Sequence, residues 1–431
     1  MNIYISGISG TGMGPLALMA KNAGHTVFGS DKNPGPILKE LEAENIEFKI
    51  SDQDGKFLEE KFENTGVDWF VYTSALPENH PELVYAKTHG IKTSKRDEFI
   101  DFLVKELNLK MVAVAGTHGK TTTTSMIIWA GLKLGLPISY LVGTTLGFAK
   151  SGKYNPEDKF FIYEADEYDR NFLAFSPWLS LITFVSYDHP DIYKTEEEYK
   201  DAFKTFETKS ENVIFGNPSA APDSLGYLTE KNIPARVILT SDSRINLSGK
   251  ARREDATTAL NAILKMAEEI NYDLPEEKIV EILNEFPGVG RRFEKLGDGI
   301  YTDYGHHPEE IISTLEMAHE EASKTGKKGI VVIYEPHQNT RQHEVKDGYK
   351  TAFKDADKLF WLPTYLTRED KSLEIITPKM FIDSLENKEI GEPAEMNPEL
   401  AEKLKSLKNE GYLILLMTAG PADEWFRGIW Q

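Results

Sequence analysis

The feature that most constrains this chain is a short glycine-bracketed loop, GTHGKTT, at residues 116–122. The apolar stretch at 111–115 predicts a strand before it, and 121–134 has the pattern of a helix after it. Backbone N–H groups of such a loop, with the N-terminus of the following helix, bind a polyphosphate. The sequence therefore predicts a nucleotide site in an α/β fold. The alternative is a strand–turn–helix junction that needs glycine for geometry alone.

Individual side chains of this loop suit nucleotide chemistry. Lys120 brings a positive charge to the β- and γ-phosphates, and Thr121 brings a hydroxyl to Mg²⁺. The usual phosphate loop has four residues between its glycines, whereas the two glycines here enclose only two. We therefore predict a variant loop with these nucleotide contacts: Gly116, Thr117, His118, Gly119, Lys120, Thr121 and Thr122.

Two later predicted strands end in groups that suit a metal–nucleotide site. Glu164 follows the strand at 160–163, and His189 comes soon after the strand at 179–185. Ligands of open α/β sheets bind at the carboxyl ends of the strands, so these groups should share one edge with the phosphate loop. A carboxylate and a threonine hydroxyl are hard oxygen donors of the kind that Mg²⁺ prefers. We predict Thr121, Glu164 and His189 as metal ligands, with a solvated acidic turn as the alternative for Glu164.

The chain also begins with a pattern typical of a nucleotide-binding βαβ unit. A strand at 2–6 leads into a glycine-rich turn at 7–14, and a second strand at 26–29 ends near Asp31. Glycines allow a pyrophosphate to approach the backbone, and an acidic residue about 20 positions later accepts from a sugar hydroxyl. The alternative is a glycine-rich turn that Asp31 merely caps.

Two polar clusters open the last third of the chain. Arg291 and Arg292 form a positive pair that could reach a transferring phosphoryl group or the nucleotide. Asp303 and His306 lie at a predicted strand-to-helix turn, where they could hold a ribose or adenine. A surface pair and a helix-capping role are the respective alternatives.

A third cluster follows the predicted strand at 329–334. Arg341 could grip a substrate carboxylate with two parallel hydrogen bonds, and His337 lies nearby. The alternative is an ordinary surface loop.

The composition excludes several classes of function. The chain has 49 Lys and Arg against 69 Asp and Glu, a net charge of −20, which disfavours nucleic acid and anionic membranes as partners. It has no cysteine, which excludes disulfides and thiolate metal sites. Because the first residues read as a strand and no apolar run approaches ~18 residues, we expect a cytoplasmic protein with no membrane partner.

Together these motifs resemble those of the Mur ligase family, ATP-dependent enzymes that form amide bonds in peptidoglycan synthesis. The strings GTHGKTTTT, EADEYD and DYGHHP are similar to those of the branch that acts directly on UDP-N-acetylmuramate. The resemblance covers nearly the whole chain in order, through residues 7–14, 116–122, 164–169, 188–191, 290–293, 303–308 and 336–341.

The resemblance implies an α/β protein of three domains. These are a Rossmann-like N-terminal domain at 1–107 for the UDP-sugar, a central P-loop domain at 108–287 for ATP, and a Rossmann-like C-terminal domain at 288–431 for the amino acid or peptide. It implies ATP and Mg²⁺ as cofactors, and UDP-N-acetylmuramate and L-alanine as substrates. A murein tripeptide is the alternative acceptor. We expect a monomer or a weak homodimer that does not bind nucleic acid.

The resemblance also assigns roles to residues. ATP would phosphorylate the donor carboxylate, and the acceptor amine would attack the acyl phosphate. The catalytic residues would be Lys120, Glu164, His189 and Arg292. The donor would be bound by Gly10, Thr11, Gly12, Met13, Asp31, Ser74 and Ala75. Further nucleotide contacts would come from Arg291, Asp303 and His306, and acceptor contacts from Tyr304, His337 and Arg341.

The chain departs from the family pattern in a shorter segment at 216–249 and at two positions near the candidate site. Relatives often have a His–Asn pair at the start of the last central helix, where this chain has Arg252 to Asp255. Several relatives carry a carbamylated lysine where this chain has Phe203, so we predict no carbamate. These departures keep a non-catalytic nucleotide-binding protein open as an alternative. A dinucleotide-dependent oxidoreductase would explain the turn at 7–14 and Asp31, but not the phosphate loop.

Overall fold

The computed structural model describes residues 1–35, 37–73, 76–144, 146–189, 192–217, 236–238, 241–367 and 369–430. The chain divides into two compact units. The first comprises Met1–Ile245 with Glu254–Phe286, and the second comprises Asn246–Arg253 with Pro287–Gln431. In the described ranges, no helix is both long and apolar enough to cross a bilayer.

The first unit begins with a five-stranded parallel sheet in the order β3-β2-β1-β4-β5. Its strands are β1 (Asn2–Ser6), β2 (Thr26–Asp31), β3 (Glu47–Ile50), β4 (Trp69–Tyr72) and β5 (Lys92–Lys95). Its helices are α1 (Gly14–Asn22), α2 (Leu38–Ala43), α3 (Lys56–Thr65), α4 (Pro81–Thr88) and α5 (Arg96–Glu106). The predicted glycine-rich turn joins β1 to α1, at the carboxyl edge of this sheet.

The same unit contains a seven-stranded sheet in the order β12-β11-β10-β6-β9-β7-β8, parallel except for the β7–β8 pair. Its strands are β6 (Lys110–Ala115), β7 (Ile138–Leu141), β8 (Gly152–Lys153), β9 (Phe160–Glu164), β10 (Leu179–Ile182), β11 (Asn212–Phe215) and β12 (Arg236–Ile238). Its helices are α6 (Lys120–Leu134), α7 (Glu196–Thr208), α8 (Lys250–Glu269) and α9 (Glu276–Asn284). The first residues of α8 belong to the second unit. Because β6 lies between β9 and β10, the three predicted strand ends are adjacent, as the sequence indicates.

The second unit has a six-stranded sheet in the order β13-β14-β18-β15-β16-β17, parallel except for the β13–β14 pair. Its strands are β13 (Glu294–Gly297), β14 (Ile300–Asp303), β15 (Ile330–Glu335), β16 (Lys358–Trp361), β17 (Gly391–Pro393) and β18 (Leu413–Thr418). Its helices are α10 (Pro308–Thr325), α11 (Asn339–Val345), α12 (Tyr349–Ala352), α13 (Pro378–Ser384), α14 (Pro398–Asn409) and α15 (Ala422–Ile429).

Helices cover both faces of a parallel sheet, so its strands are apolar on both faces and form the hydrophobic core. Every residue of β15 and β18 is buried, and separate apolar clusters cover the two faces of that sheet. In the first unit one continuous cluster runs from Ile3 in β1 to Phe215 in β11, so it joins both sheets.

The sequence predicts part of these elements, among them the strands and helices that carry the candidate site. The strand at 300–303 is predicted with its observed bounds, and α6 begins one residue before its predicted start. Helix α8 begins five residues before its predicted start at 255, because charged residues 252–254 obscure its apolar period. Each of the three sheets lies within one predicted domain, while the domain boundaries themselves stay a prediction.

Candidate active site

The phosphate loop has a backbone that only glycine accommodates at both ends. Gly116 has φ +137° and Gly119 has φ +83°. A Cβ atom on Gly116 would lie 2.3 Å from Thr183 Oγ1, and one on Gly119 would lie 2.4 Å from Asp255 Oδ1. The loop therefore turns tightly into α6 and presents its backbone at the helix N-terminus, which is the arrangement that binds phosphate.

Lys120 is held by an acidic residue that the sequence analysis did not select. Its Nζ donates to both carboxylate oxygens of Glu167, at 3.0 and 2.8 Å, and to the Gly116 carbonyl at 2.5 Å. Burial alone would raise the pKa of Glu167, but the charges of Lys120 and His189 outweigh it and hold that pKa below its usual value. Burial likewise opposes the charge of Lys120, yet Glu167 and neighbouring acids raise the Lys120 pKa. The pair is therefore ionised at neutral pH.

His189 belongs to the same cluster. Its Nε2 lies 3.7 Å from Glu167 Oε1 and 3.6 Å from Asp188 Oδ2. Two tyrosines complete the surroundings of Glu167: the Tyr193 hydroxyl donates to the Glu167 carbonyl at 2.6 Å, and the Tyr199 hydroxyl to its carboxylate at 3.4 Å. Glu167 thus connects the phosphate-loop lysine to His189.

Two of the predicted metal ligands lie together. The Thr121 hydroxyl donates to Glu164 Oε1 at 3.0 Å. Asp166, on the same strand end, is mostly buried, and burial followed by the charge of Glu167 raises the pKa of its carboxyl. A hydroxyl and a carboxylate at hydrogen-bond distance are donors that fit Mg²⁺. The metal roles of Thr121, Glu164 and His189 stay predictions.

The remaining loop residues have structural contacts. The Thr117 hydroxyl bonds to the Ser186 carbonyl at 2.8 Å and to the Tyr199 hydroxyl at 2.7 Å. The His118 ring centre lies 5.7 Å from that of Phe184. Thr122 is half-buried in the first turn of α6. These contacts hold the loop against the end of β10, and the nucleotide contacts of the three residues stay predictions.

The structure shows the contacts of a residue at each of these two departures, Asp255 and Phe203. Asp255 lies at the phosphate loop and accepts a hydrogen bond from the Thr123 hydroxyl at 3.1 Å. Phe203 is fully buried, with ring centres 5.1 Å from Phe172 and 5.2 Å from Tyr199. Position 203 thus contributes an apolar side chain to the core, and the absence of a carbamate stays a prediction.

Asp31, the acidic residue predicted to bind the donor, is hydrogen-bonded to the backbone near the N-terminal turn. Asp31 accepts hydrogen bonds from the backbone N–H groups of Ser9 at 3.0 Å and Asn33 at 3.2 Å. This geometry favours the capping alternative for Asp31, and its contact with a sugar hydroxyl stays a prediction. In the turn itself Thr11 is exposed, Gly10 and Gly12 are half-buried and Met13 is buried. Ser74 and Ala75, also predicted to bind the donor, lie outside the described residues.

A cleft of about 160 Å³ runs between this turn and the central sheet. It is lined by Thr11 and Gly12 on one side and by Glu164 and Asp166 on the other. Arg96, the first residue of α5, also lines it, and the sequence analysis did not select that residue. The cleft therefore brings the candidate donor-binding turn next to the candidate metal ligand Glu164.

In the second unit, His306 and Arg341 lie in direct contact. His306 Nδ1 lies 3.1 Å from the Tyr304 carbonyl, and its Nε2 is hydrogen-bonded to Arg341 Nη1. A carbonyl only accepts and a guanidinium only donates, so Nδ1 must carry the proton and Nε2 must accept. Burial lowers the pKa of His306 to about 4, which keeps the ring neutral. The sequence predicted a nucleotide role for His306, whereas this geometry associates it with Arg341.

The other predicted residues of the second unit surround this pair. The His337 ring centre lies 5.7 Å from that of His306. The guanidinium carbons of Arg291 and Arg292 lie 4.8 and 5.1 Å from the Tyr304 ring centre. Arg291 Nη2 also donates to the Thr418 carbonyl at 2.7 Å, at the end of β18.

Asp303 has internal partners for both carboxylate oxygens. Oδ2 accepts from the Phe293 N–H at 2.6 Å, and Oδ1 accepts from the Gly305 N–H at 2.7 Å and the Thr314 hydroxyl at 3.2 Å. Burial raises the pKa of this carboxyl. The geometry favours the structural alternative for Asp303, and its contact with a ribose or adenine stays a prediction.

Comparisons with known proteins agree with this geometry. Residues 2–107 match the model of the Mur ligase family, catalytic domain, and residues 114–258 match that of the Mur ligase middle domain. The UDP-N-acetylmuramate–L-alanine ligase of Clostridium tetani is 30% identical over 97% of this chain and 95% of its own length. That of Caldicellulosiruptor saccharolyticus is 28% identical over 98% and 96%.

Solved structures give the same result. The UDP-N-acetylmuramate–alanine ligase MurC of Thermotoga maritima superimposes with a TM-score of 0.74 at 25% identity, over 100% of this chain and 98% of that one. A murein peptide ligase, Mpl, of Psychrobacter arcticus shares the fold, with a TM-score of 0.61 at 22% identity over 100% and 97%. The chain belongs to the Mur ligase family.

Proposed function

We propose that this protein is an ATP-dependent ligase that joins L-alanine to the lactyl carboxylate of UDP-N-acetylmuramate. The observation that carries the proposal is the cleft in the first unit. There the glycine-rich turn of the N-terminal sheet faces Glu164, which is bonded to Thr121 of the phosphate loop. A donor bound at the turn can therefore present its carboxylate to a nucleotide bound at the loop.

ATP and Mg²⁺ fit the residues of the central sheet. The backbone of the phosphate loop would cradle the β- and γ-phosphates, and Thr121 and Glu164 would hold the metal ion through oxygen. Bound Mg²⁺ would neutralise the charge that develops on the transferring phosphoryl group. Lys120 supplies the same kind of stabilisation from the protein, and Glu167 keeps its ammonium group at the mouth of the loop.

The reaction then has two steps. An oxygen of the donor carboxylate attacks the γ-phosphorus of ATP, the bond to the β-phosphate oxygen breaks, and ADP leaves. The neutral amine of the acceptor attacks the carbonyl carbon of the acyl phosphate, and the tetrahedral intermediate expels inorganic phosphate and loses a proton. Preorganised positive charge accounts for much of the catalysis in reactions of this kind.

The second unit would bind the acceptor. Arg341 would pair with the carboxylate of L-alanine, and neutral His306 fixes the direction of its guanidinium. Tyr304 and His337 form the sides of this site. Full-length relatives described as L-alanine ligases favour L-alanine over the murein tripeptide, which is the alternative acceptor.

The test is phosphate release from ATP with Mg²⁺ and UDP-N-acetylmuramate, with L-alanine, glycine, L-serine or the murein tripeptide added separately. Release driven by L-alanine is the expected result. Release with the tripeptide alone would assign the protein to recycling of wall peptides. A chain that binds ATP without Mg²⁺ dependence and releases no phosphate would instead be a non-catalytic relative, and reduction of a nicotinamide cofactor would indicate the oxidoreductase alternative.

A further inference from the structure

Arg96 is a half-buried arginine in the cleft of the first unit. It is the first residue of α5, where the positive end of the helix dipole disfavours a cation. A second positive residue, Lys95, precedes it. An arginine at such a position needs a specific partner to hold its charge.

The partners of Arg96 within the described residues satisfy the guanidinium only in part. Nη2 donates to the carboxylate oxygens of Asp97 at 3.2 and 3.4 Å. Asp97 Oδ1 also accepts from the Tyr163 hydroxyl at 2.5 Å, so that carboxylate is shared. Nε of Arg96 is buried and has no hydrogen-bond partner among the described residues. A buried donor without a partner is costly, and it is explained when a ligand completes it.

The position of Arg96 shows where that ligand would lie. Its Nη1 reaches the N-terminal turn, because a Cβ atom on Gly12 would come within 2.9 Å of it. The same cleft is lined by Glu164 and Asp166, and Arg96 is the only cation among its described lining residues. The positive charge of Arg96 would offset the repulsion between these two acids and an anionic group in the cleft.

We propose that Arg96 binds the reacting carboxylate of the donor substrate and then its acyl phosphate. This rests on the proposed function, which brings a carboxylate donor into the cleft. A guanidinium offers two parallel N–H groups to a carboxylate or a phosphate, so Arg96 can hold both species in one orientation. The carboxylate oxygen that attacks ATP is thereby directed toward the side of the cleft that contains Glu164.

The test compares two donors that differ only at the group in question. UDP-N-acetylglucosamine lacks the lactyl ether and its carboxylate, and otherwise matches UDP-N-acetylmuramate. Dissociation constants of both would be measured by calorimetry for the wild type, Arg96→Ala and Arg96→Lys. We expect Arg96→Ala to weaken binding of UDP-N-acetylmuramate roughly 10- to 100-fold, with little change for UDP-N-acetylglucosamine. Arg96→Lys keeps the positive charge but not the two parallel N–H donors, so it should weaken binding of UDP-N-acetylmuramate less than Arg96→Ala does.

Lys95→Gln is the matched control. Lys95 is adjacent in sequence and forms an ion pair with Asp169, but it does not line the cleft. Its variant should bind both donors like the wild type. Steady-state kinetics supply a second readout, in which Arg96→Ala should raise KM for UDP-N-acetylmuramate without raising KM for ATP.

The possible outcomes are distinguishable. An equal loss of both UDP-sugars in Arg96→Ala, with or without a drop in thermal stability, would mean a structural role and would overturn the proposal. Unchanged binding of UDP-N-acetylmuramate would overturn it as well, while leaving the proposed function intact. If the wild type does not bind UDP-N-acetylmuramate at all, the proposed function itself fails.

Discussion

The two polar clusters of this protein differ in the group that contacts their cation. In the first unit Lys120 lies against the ionised carboxylate of Glu167, so its charge is balanced before any ligand arrives. In the second unit Arg341 contacts the neutral ring of His306, which orients the guanidinium. In the proposed reaction, Lys120 would meet a negative charge that develops on the phosphoryl group, whereas Arg341 would bind a charge that the acceptor already has.

This difference separates the expected effects of mutation. Changes in the Lys120–Glu167 cluster should alter turnover and stability, since phosphoryl transfer depends on it. Changes in the His306–Arg341 cluster should alter the apparent affinity for the acceptor. The predictions below concern four variants and run from the largest expected effect to the smallest.

Replacing Lys120 by Ala should have the largest effect. It removes the charge that stabilises the transferring phosphoryl group, and kcat should fall by at least roughly 10²- to 10³-fold. Binding of UDP-N-acetylmuramate, measured by calorimetry, should persist because the N-terminal turn is unaltered. Lys133→Ala is the control, since Lys133 lies exposed in the last turn of the same helix. Normal turnover in Lys120→Ala would remove this residue from the chemistry.

Glu167→Gln should lower both turnover and stability. It leaves Lys120 largely buried without its counter-charge, a change that costs about 3–5 kcal/mol in buried pairs. ATP brings a replacement for that charge, so the rise in Tm on adding ATP should be larger for the variant than for the wild type. Thermal unfolding with and without ATP measures both effects. An unchanged Tm in the absence of ATP would contradict the proposed balance.

The pH dependence of this pair has a defined sign. The pKa of Glu167 is lowered in the folded protein, so its contribution to stability is present above the ordinary value of 4.5 and is lost as pH falls through the lowered pKa. The pKa of Lys120 is raised, so its contribution is present below 10.5 and is lost as pH rises through the raised value. Glu167→Gln should remove the acid limb of this profile.

Arg341→Ala should act on the acceptor. Loss of a charge-assisted pair worth about 1.5–3 kcal/mol should raise KM for L-alanine roughly 10- to 100-fold, with a smaller change in kcat. Lys350→Ala, which removes an exposed cation of the same unit, should leave KM unchanged. If KM for L-alanine does not move in Arg341→Ala, this arginine does not bind the acceptor.

His306→Gln should have the smallest effect, because glutamine retains a hydrogen-bond acceptor for Arg341. KM for L-alanine should rise severalfold. The pKa of His306 lies at about 4 in the folded protein, below the ordinary 6.5, so the unfolded chain binds a proton more readily between these values. The wild type should therefore lose stability as pH falls from 6.5 toward 4, and His306→Gln should lose less. Parallel Tm–pH curves for the two proteins would contradict a neutral buried His306.

Sequence alone could predict the groups whose positions follow from topology. Thr121 and Glu164 follow neighbouring strands of a parallel sheet, and strand ends of such a sheet converge at one edge. The contact between them therefore required only the correct elements and their adjacency. The Mur ligase resemblance agreed with this interpretation and added the substrates.

The sequence could not show which member of a group of similar residues is buried, so it could not identify residues whose roles depend on burial. Glu164, Asp166 and Glu167 form one acidic run, and nothing in its spacing indicates that Glu167 is the member that turns inward to Lys120. Arg96 begins α5, beside the five-stranded sheet, and Glu164 ends β9 of the seven-stranded sheet, so only the folded cleft relates them. The location of Asp303 and His306 at a strand-to-helix turn was predicted, but their partners Phe293 and Arg341 come from other segments.

The central claim is that the donor carboxylate is activated by phosphorylation at the loop of the first unit. It is tested most directly with UDP-N-acetylmuramate whose lactyl carboxylate carries ¹⁸O, incubated with ATP, Mg²⁺ and L-alanine. If an acyl phosphate forms, the bridging oxygen leaves with the phosphoryl group, and mass spectrometry should find one ¹⁸O in each inorganic phosphate released. With both carboxylate oxygens labelled, the amide can keep only one ¹⁸O. Unlabelled phosphate released alongside the amide would mean that the other oxygen left by a different route, and would contradict the account.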